Sequence, residues 1–161
     1  MTHDTAPERS PESAAKAVGV TAPVIVVGLD GSPTSWDAFS WAAGEAVRAR
    51  GRLIAVYVTP AVEPGVAAGV PYDYAAAEQA RRDVAGELRE EAEHRAHDLG
   101  VPLSFVRERG DIAHSLCSVA HSMGADLVVV GRSAKVLHHV AGSLGRRLVS
   151  RHDAPVIVVV P

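Results

Sequence analysis

Four unbroken apolar runs limit what this chain can become: Val24 to Leu29 (VIVVGL), Leu53 to Val58 (LIAVYV), Leu127 to Val130 (LVVV) and Val156 to Val160 (VIVVV). A strand with one face in water alternates apolar and polar residues. A run without that alternation belongs to a strand covered on both faces, as the strands of a parallel sheet are. Between the runs the period becomes helical. Ser32 is placed to cap a helix with Pro33 at its first position, where a missing N–H costs nothing. Ala38, Trp41, Ala42 and Ala46 then recur at helical spacing up to Arg50, and Gly51 is expected to stop the helix.

Ala75 to Leu99 reads as a long helix, with Arg and Glu outward and Ala, Val and Leu inward, ending at Gly100. Pro102 to Arg107 reads as a third strand near a sheet edge, because Pro102 has no N–H for a ladder. Asp111 is placed to cap the next helix, whose apolar face is Ile112, Leu116, Val119, Ala120 and Met123, and Gly124 ends it. Gly142 to Arg151 reads as a fourth helix. The order βαβαβαβαβ predicts an α/β fold: a single open parallel five-stranded sheet with helices on both faces. Right-handed crossovers, with the first and fourth strands central, give the strand order 3-2-1-4-5. The chain then reverses direction between strands one and four, and ligands of open α/β sheets bind at such a switch point. The segments placed there are Gly28 to Ser32 and Gly131 to Ser143.

Composition narrows the class. A length of 161 residues suits one domain. Residues 1–22 lack apolar periodicity and read as a flexible tail, which leaves residues 23–161 as the domain. The net charge of −3 gives no electrostatic reason to expect a nucleic-acid partner. No secretory leader is visible at the N-terminus, and no apolar run reaches the roughly 18 residues of a membrane span. Cys117 is the one cysteine, so no internal disulfide forms. These features predict a soluble cytoplasmic protein. The segment Thr59 to Tyr74 has three prolines and two glycines and reads as a long loop, a length often tied to function.

Two segments carry chemistry. Gly28-x-Asp30-Gly31-Ser32 either offers Asp30 to an adenine or ribose edge, with Gly31 allowing close backbone approach, or is a strand-to-helix turn in which Asp30 and Ser32 cap backbone N–H groups. Gly131-Arg132-Ser133-Ala134-Lys135, followed by Gly142-Ser143, is either a phosphate cradle with charge from Arg132 and Lys135 or a loop whose Ser143 only caps a helix. Neither segment contains a Gly-x-Gly-x-x-Gly or a Gly-x4-Gly-Lys-Ser/Thr motif. Arg146, Arg147 and Arg151 form a basic stripe, either solvated and paired with acidic side chains or available to an anion. His114, Cys117 and His121 lie on one helical stripe with a spacing that suits zinc, but a packed thiol between two surface histidines accounts for them, and no metal is expected. No nucleophile has a base fixed beside it, and Gly-x-Ser-x-Gly is absent.

The chain resembles the universal stress protein family. The resemblance rests on Val-x-Leu-Asp-Gly-Ser in the first segment, Gly-Ala-Asp-Leu-Val-Val-Val-Gly before the loop, Gly-Ser after it, and Ala-Pro-Val-Ile-Val-Val at the end. It spans Pro23 to Pro161. It implies an adenine-nucleotide-hydrolase-like sheet of the order above, a cytoplasmic stress-response role, and homodimers paired through the last strand, Val156 to Val160. One group of the family binds ATP and carries Gly-x2-Gly-x9-Gly-Ser/Thr after the fourth strand. Gly131 matches the first glycine and Gly142-Ser143 the last pair. The second glycine is replaced by Ala134, and seven residues separate Ala134 from Gly142, two fewer than the pattern. Asp30 matches the base-contacting aspartate, and Val58 matches a valine whose backbone meets adenine.

The resemblance therefore points to ATP or AMP as cofactor, held by Gly28, Asp30, Gly31, Ser32, Val58, Gly131, Arg132, Ser133, Gly142 and Ser143. It implies a non-catalytic regulator or protective protein with a degenerate phosphate loop. A slow nucleotide hydrolase in the same cleft and an interaction module with a vestigial pocket are the alternatives.

Overall fold

The computed structural model describes residues 22–61, 73–132, 143–150 and 155–161. The elements in chain order are β1 (Val24–Gly28), α1 (Pro33–Ala49), β2 (Arg52–Thr59), α2 (Tyr74–Asp98), β3 (Leu103–Arg109), α3 (Ile112–Ser122), β4 (Leu127–Gly131), α4 (Ser143–Val149) and β5 (Val156–Val160). The strands form one parallel sheet of order β3-β2-β1-β4-β5, as expected from the sequence.

The alternation hidden inside the apolar runs sorts the core into two layers. Ile25 and Val27 of β1, with Leu53 and Ala55 of β2, pack under α1 and α2 against Ala38, Phe39, Ala42, Ala43, Ala46, Ala92 and Ala96. Val24 and Val26, with Ile54 and Val56, pack on the other face under α3 and α4 against Leu116, Val119, Ala120 and Leu148. Helices thus cover both faces, which explains why β1 tolerates no polar residue. The alanines of α1 let its backbone lie close to the sheet, and α1 touches β1, β4 and β2 together.

Two details of α1 differ from the sequence reading. Trp41 is 38% exposed, and the adjacent stripe through Phe39, fully buried, carries the aromatic weight of α1. Helix α1 ends at Arg50, which itself takes the left-handed conformation (φ 53°, ψ 37°). Gly51 serves another purpose. A side chain there would overlap the carbonyl oxygen of Pro23 and lie 3.0 Å from its Cγ, so glycine is required where β1 and β2 begin side by side.

Caps fix the helix starts. Ser32 Oγ accepts from Ser35 N at 3.2 Å, and Asp111 Oδ1 accepts from His114 N at 2.9 Å, both as expected. Asp73, not anticipated, accepts from Ala75 N and Ala76 N at the start of α2. Asp126 of the Gly-Ala-Asp segment accepts from Val24 N at 2.9 Å and ties the start of β1 to that of β4. The Thr59 to Tyr74 loop falls mostly outside the described residues. Thr59 closes β2 and Tyr74 opens α2.

Candidate functional site

Strands β1 and β4 lie side by side, but the helices that follow them cover opposite faces of the sheet. A crevice opens at their carboxyl ends. Its volume is about 430 Å³, within the range of small-molecule sites. Val56, Val58, Leu116, Val130, Ile112 and Leu144 give it an apolar lining, while Asp30, Ser32, Thr34 and Arg147 supply polar side chains. Gly28 and Gly131 complete the wall where β1 and β4 end.

The end of β2 offers backbone to this space. Strand β1 pairs with β2 only as far as Gly28 opposite Val56, and Leu29 N donates to Val56 O at 2.9 Å. On the other edge of β2, Gly110 N donates to Thr59 O at 2.8 Å, toward β3. Backbone groups of successive strand residues point to opposite edges. The N–H and C=O of Val58 therefore turn to the β1 side, beyond the point where β1 has ended, and Val58 lines the cavity there.

The segment after β1 is a built turn. Asp30 Oδ1 accepts from Ser32 N at 2.9 Å, and the Ser35 hydroxyl donates to Ser32 O at 2.9 Å. Gly31 sits at φ +82°, which only glycine adopts freely. The turn accordingly has the capping role that the residue pattern allowed. It also fixes the Asp30 carboxylate at the cavity mouth.

Gly131 has a steric reason for its identity that the sequence did not suggest. A Cβ at this position would overlap the Thr34 carbonyl and lie 2.8 Å from Ser35 N. The first turn of α1 therefore rests directly on the end of β4. That contact brings the Ser32, Thr34 and Ser35 side chains into the cavity wall.

Arg147 of α4 and Asp111 at the start of α3 form an ion pair and hydrogen bond beside the cavity. The backbone N–H of His114, followed by the Arg147 guanidinium, holds the Asp111 carboxyl below the ordinary aspartate range. A depressed folded-state pKa means that the contact stabilises above the unfolded pKa and is lost as pH falls through the folded value. With side chains 56% and 44% exposed, the pair adds little to stability.

Among the residues proposed from the sequence, Gly28, Asp30, Ser32, Val58 and Gly131 line this one cavity. Gly31 supports the turn and faces Leu88, and Arg132 is exposed and continues the β4–β5 ladder through its N–H to Val160 O at 2.7 Å. Ser143 begins α4, while Ser133 and Gly142 lie outside the described residues. The lining also includes Thr34, Ser35, Ile112, Leu116 and Leu144, which the sequence reading did not assign to a site, and Arg147 of the basic stripe. Position two after a Ser-Pro helix start, and a basic residue on the helix after the glycine loop, were the available signals. Cys117 is buried in the layer under α3 and α4, between exposed His114 and His121. Among the described residues no three His, Cys, Asp or Glu side chains are grouped to hold a metal.

The model of the universal stress protein family matches residues 23–160. The chain belongs to the universal stress protein family. Solved structures agree with it in fold. A universal stress protein from Burkholderia pseudomallei is 28% identical, with a TM-score of 0.70 over 89% of this chain and 99% of its own. One from Archaeoglobus fulgidus in complex with dAMP is 19% identical, with a TM-score of 0.60 over 88% and 99%. One from Arabidopsis thaliana with AMP bound is 17% identical, with a TM-score of 0.58 over 86% and 92%. No curated protein sequence matches. Among the described residues of this universal stress protein, no helix is long and apolar enough to cross a membrane.

Proposed function

We propose that this universal stress protein binds an adenine nucleotide, AMP or ATP, in the cavity between β1 and β4, and acts as a non-catalytic cytoplasmic stress-response or protective protein. The observation that carries the reading is the edge of β2. The Val58 N–H and C=O form a donor–acceptor pair facing a crevice floored by Val56, Leu116 and Val130. A purine needs that combination, an apolar slot for its faces and fixed polar groups for its edge. Asp30 stands at the ribose or base side, and Ser32 and Thr34 line the same wall. The nucleotides bound by the Archaeoglobus fulgidus and Arabidopsis thaliana proteins support the same ligand class. Gly31, Arg132, Ser133, Gly142 and Ser143 belong to the proposal as the turn and loop around the phosphate end.

The test is thermal unfolding with and without AMP or ATP. A ligand that binds only the native state at a hundredfold excess over Kd adds about 2.7 kcal/mol, and each kcal/mol raises Tm by roughly 2–4 °C in a chain of this size. A rise of about 5–10 °C is expected. An unchanged Tm at millimolar AMP and ATP refutes the proposal.

We also propose that the protein pairs with itself through β5. This strand ends the sheet, with Val156 65% and Val159 45% exposed, and such an edge invites a partner strand. Sedimentation equilibrium should return twice the 16.8 kDa chain mass. A monomer at roughly 100 μM, well above the Kd expected of a specific dimer, contradicts it.

A further inference from the structure

We propose that Arg147 is the residue that recognises the phosphate of a nucleotide in this cavity, and that Asp111 holds its guanidinium until that phosphate competes for it. The inference rests on the adenine-nucleotide reading and assigns its anion-specific part. Among the described lining residues Arg147 is the one cation, and Asp30 the one carboxylate. They approach from different sides. Asp30 comes from the β1–α1 turn, on the helix layer of α1, whereas Arg147 comes from α4 in the opposite layer. Val56, Leu116 and Val130 lie in the lining with them. A ligand with a neutral, hydrogen-bonding end and an anionic end matches that polarity.

The Arg147–Asp111 pair is arranged for exchange. Arg147 Nη2 donates to Asp111 Oδ2, while the other oxygen, Oδ1, caps α3 through His114 N. Asp111 therefore stays anchored when the arginine leaves. Both side chains are about half exposed, so parting them costs little. A guanidinium can grip two phosphate oxygens at once, and a phosphate carries more charge than the carboxylate it displaces. Of the basic stripe, Arg147 lines the cavity, Arg146 beside it does not, and Arg151 lies outside the described residues.

Calorimetric titration of the full chain with AMP and with adenosine tests the assignment, using wild type, Arg147→Gln and Asp111→Asn. Wild type should bind AMP about tenfold more tightly than adenosine, a difference of about 1.4 kcal/mol. Arg147→Gln should weaken AMP about tenfold and leave adenosine unchanged, an effect that a merely structural role would not confine to one ligand. Asp111→Asn keeps a helix cap of equal quality and removes the competing charge, so AMP should bind a few-fold more tightly. If adenosine and AMP bind but neither variant changes their ratio, the phosphate is read elsewhere and the nucleotide reading stands alone. If wild type binds neither ligand at millimolar concentration, both fall together.

Discussion

Gly131→Ala should destabilise the protein by about 3 kcal/mol, at the upper end of what one added methyl costs in a packed interior. The size of the effect follows from what the methyl meets. The neighbours are the Thr34 carbonyl and Ser35 N, backbone atoms in the first turn of α1, and they cannot rotate away as a side chain would. Helix α1 would have to lift from β4, and it contacts β4 as extensively as it does β1. Gly28→Ala provides the contrast. Its Cβ would sit 3.4 Å from Leu116 Cδ1 and 3.5 Å from Val130 Cγ1, close to ordinary contacts, so it should cost under about 1 kcal/mol while narrowing the cavity. Urea unfolding checks both, as a lower midpoint with an unchanged slope. A Gly131→Ala protein as stable as wild type would mean that α1 does not rest on β4 as described.

Phe39→Ala should cost about 3–5 kcal/mol, which for this chain lowers Tm by on the order of 10 °C. Phe39 is fully buried on the sheet-facing side of α1 and meets Trp36 edge to face, with ring centroids 5.6 Å apart. Trp36 in turn lies under the Arg95 guanidinium of α2, 4.4 Å from its carbon to the ring centroid. Removing the Phe39 ring leaves a cavity between α1 and the sheet and loosens the α1–α2 contact. Trp41→Ala, on the more exposed stripe, should cost about 1 kcal/mol or less. Equal effects of the two substitutions, measured by thermal unfolding, would contradict the assignment of the core stripe. Both of the large effects act on the seating of α1, whose first turn forms one wall of the cavity between β1 and β4.

The sheet was readable in advance because its signals are local. The runs VIVVGL and LVVV leave no polar face, helix caps Ser32 and Asp111 stand next to the residues they cap, and crossover handedness with the two most apolar strands central is satisfied by the order found. What escaped the sequence depends on contacts between distant segments. Gly51 reads as a helix stop, since nothing local reveals that Pro23 passes against it. Gly131 reads as a phosphate glycine because its contact with Thr34 exists only once α1 lies on β4. Ala38, Ala42 and Ala46 are buried as their helical spacing implies, but spacing alone does not show that Phe39 is buried with them and Trp41 is not. The site was half legible. Asp30, Val58 and Gly131 follow from motif positions, whereas the pairing of Arg147 with Asp111, 36 residues apart, requires α3 and α4 to share one face.

Occupancy of the crevice at the ends of β1 and β4 by an adenine nucleotide is open to direct test. The most direct measurement is backbone amide NMR of the full chain titrated with AMP. Saturable shifts are expected at Asp30, Val58 and Gly131, with β3 and the outer face of α2 unmoved. An unchanged spectrum at millimolar AMP, or shifts confined to residues away from the crevice, would contradict it.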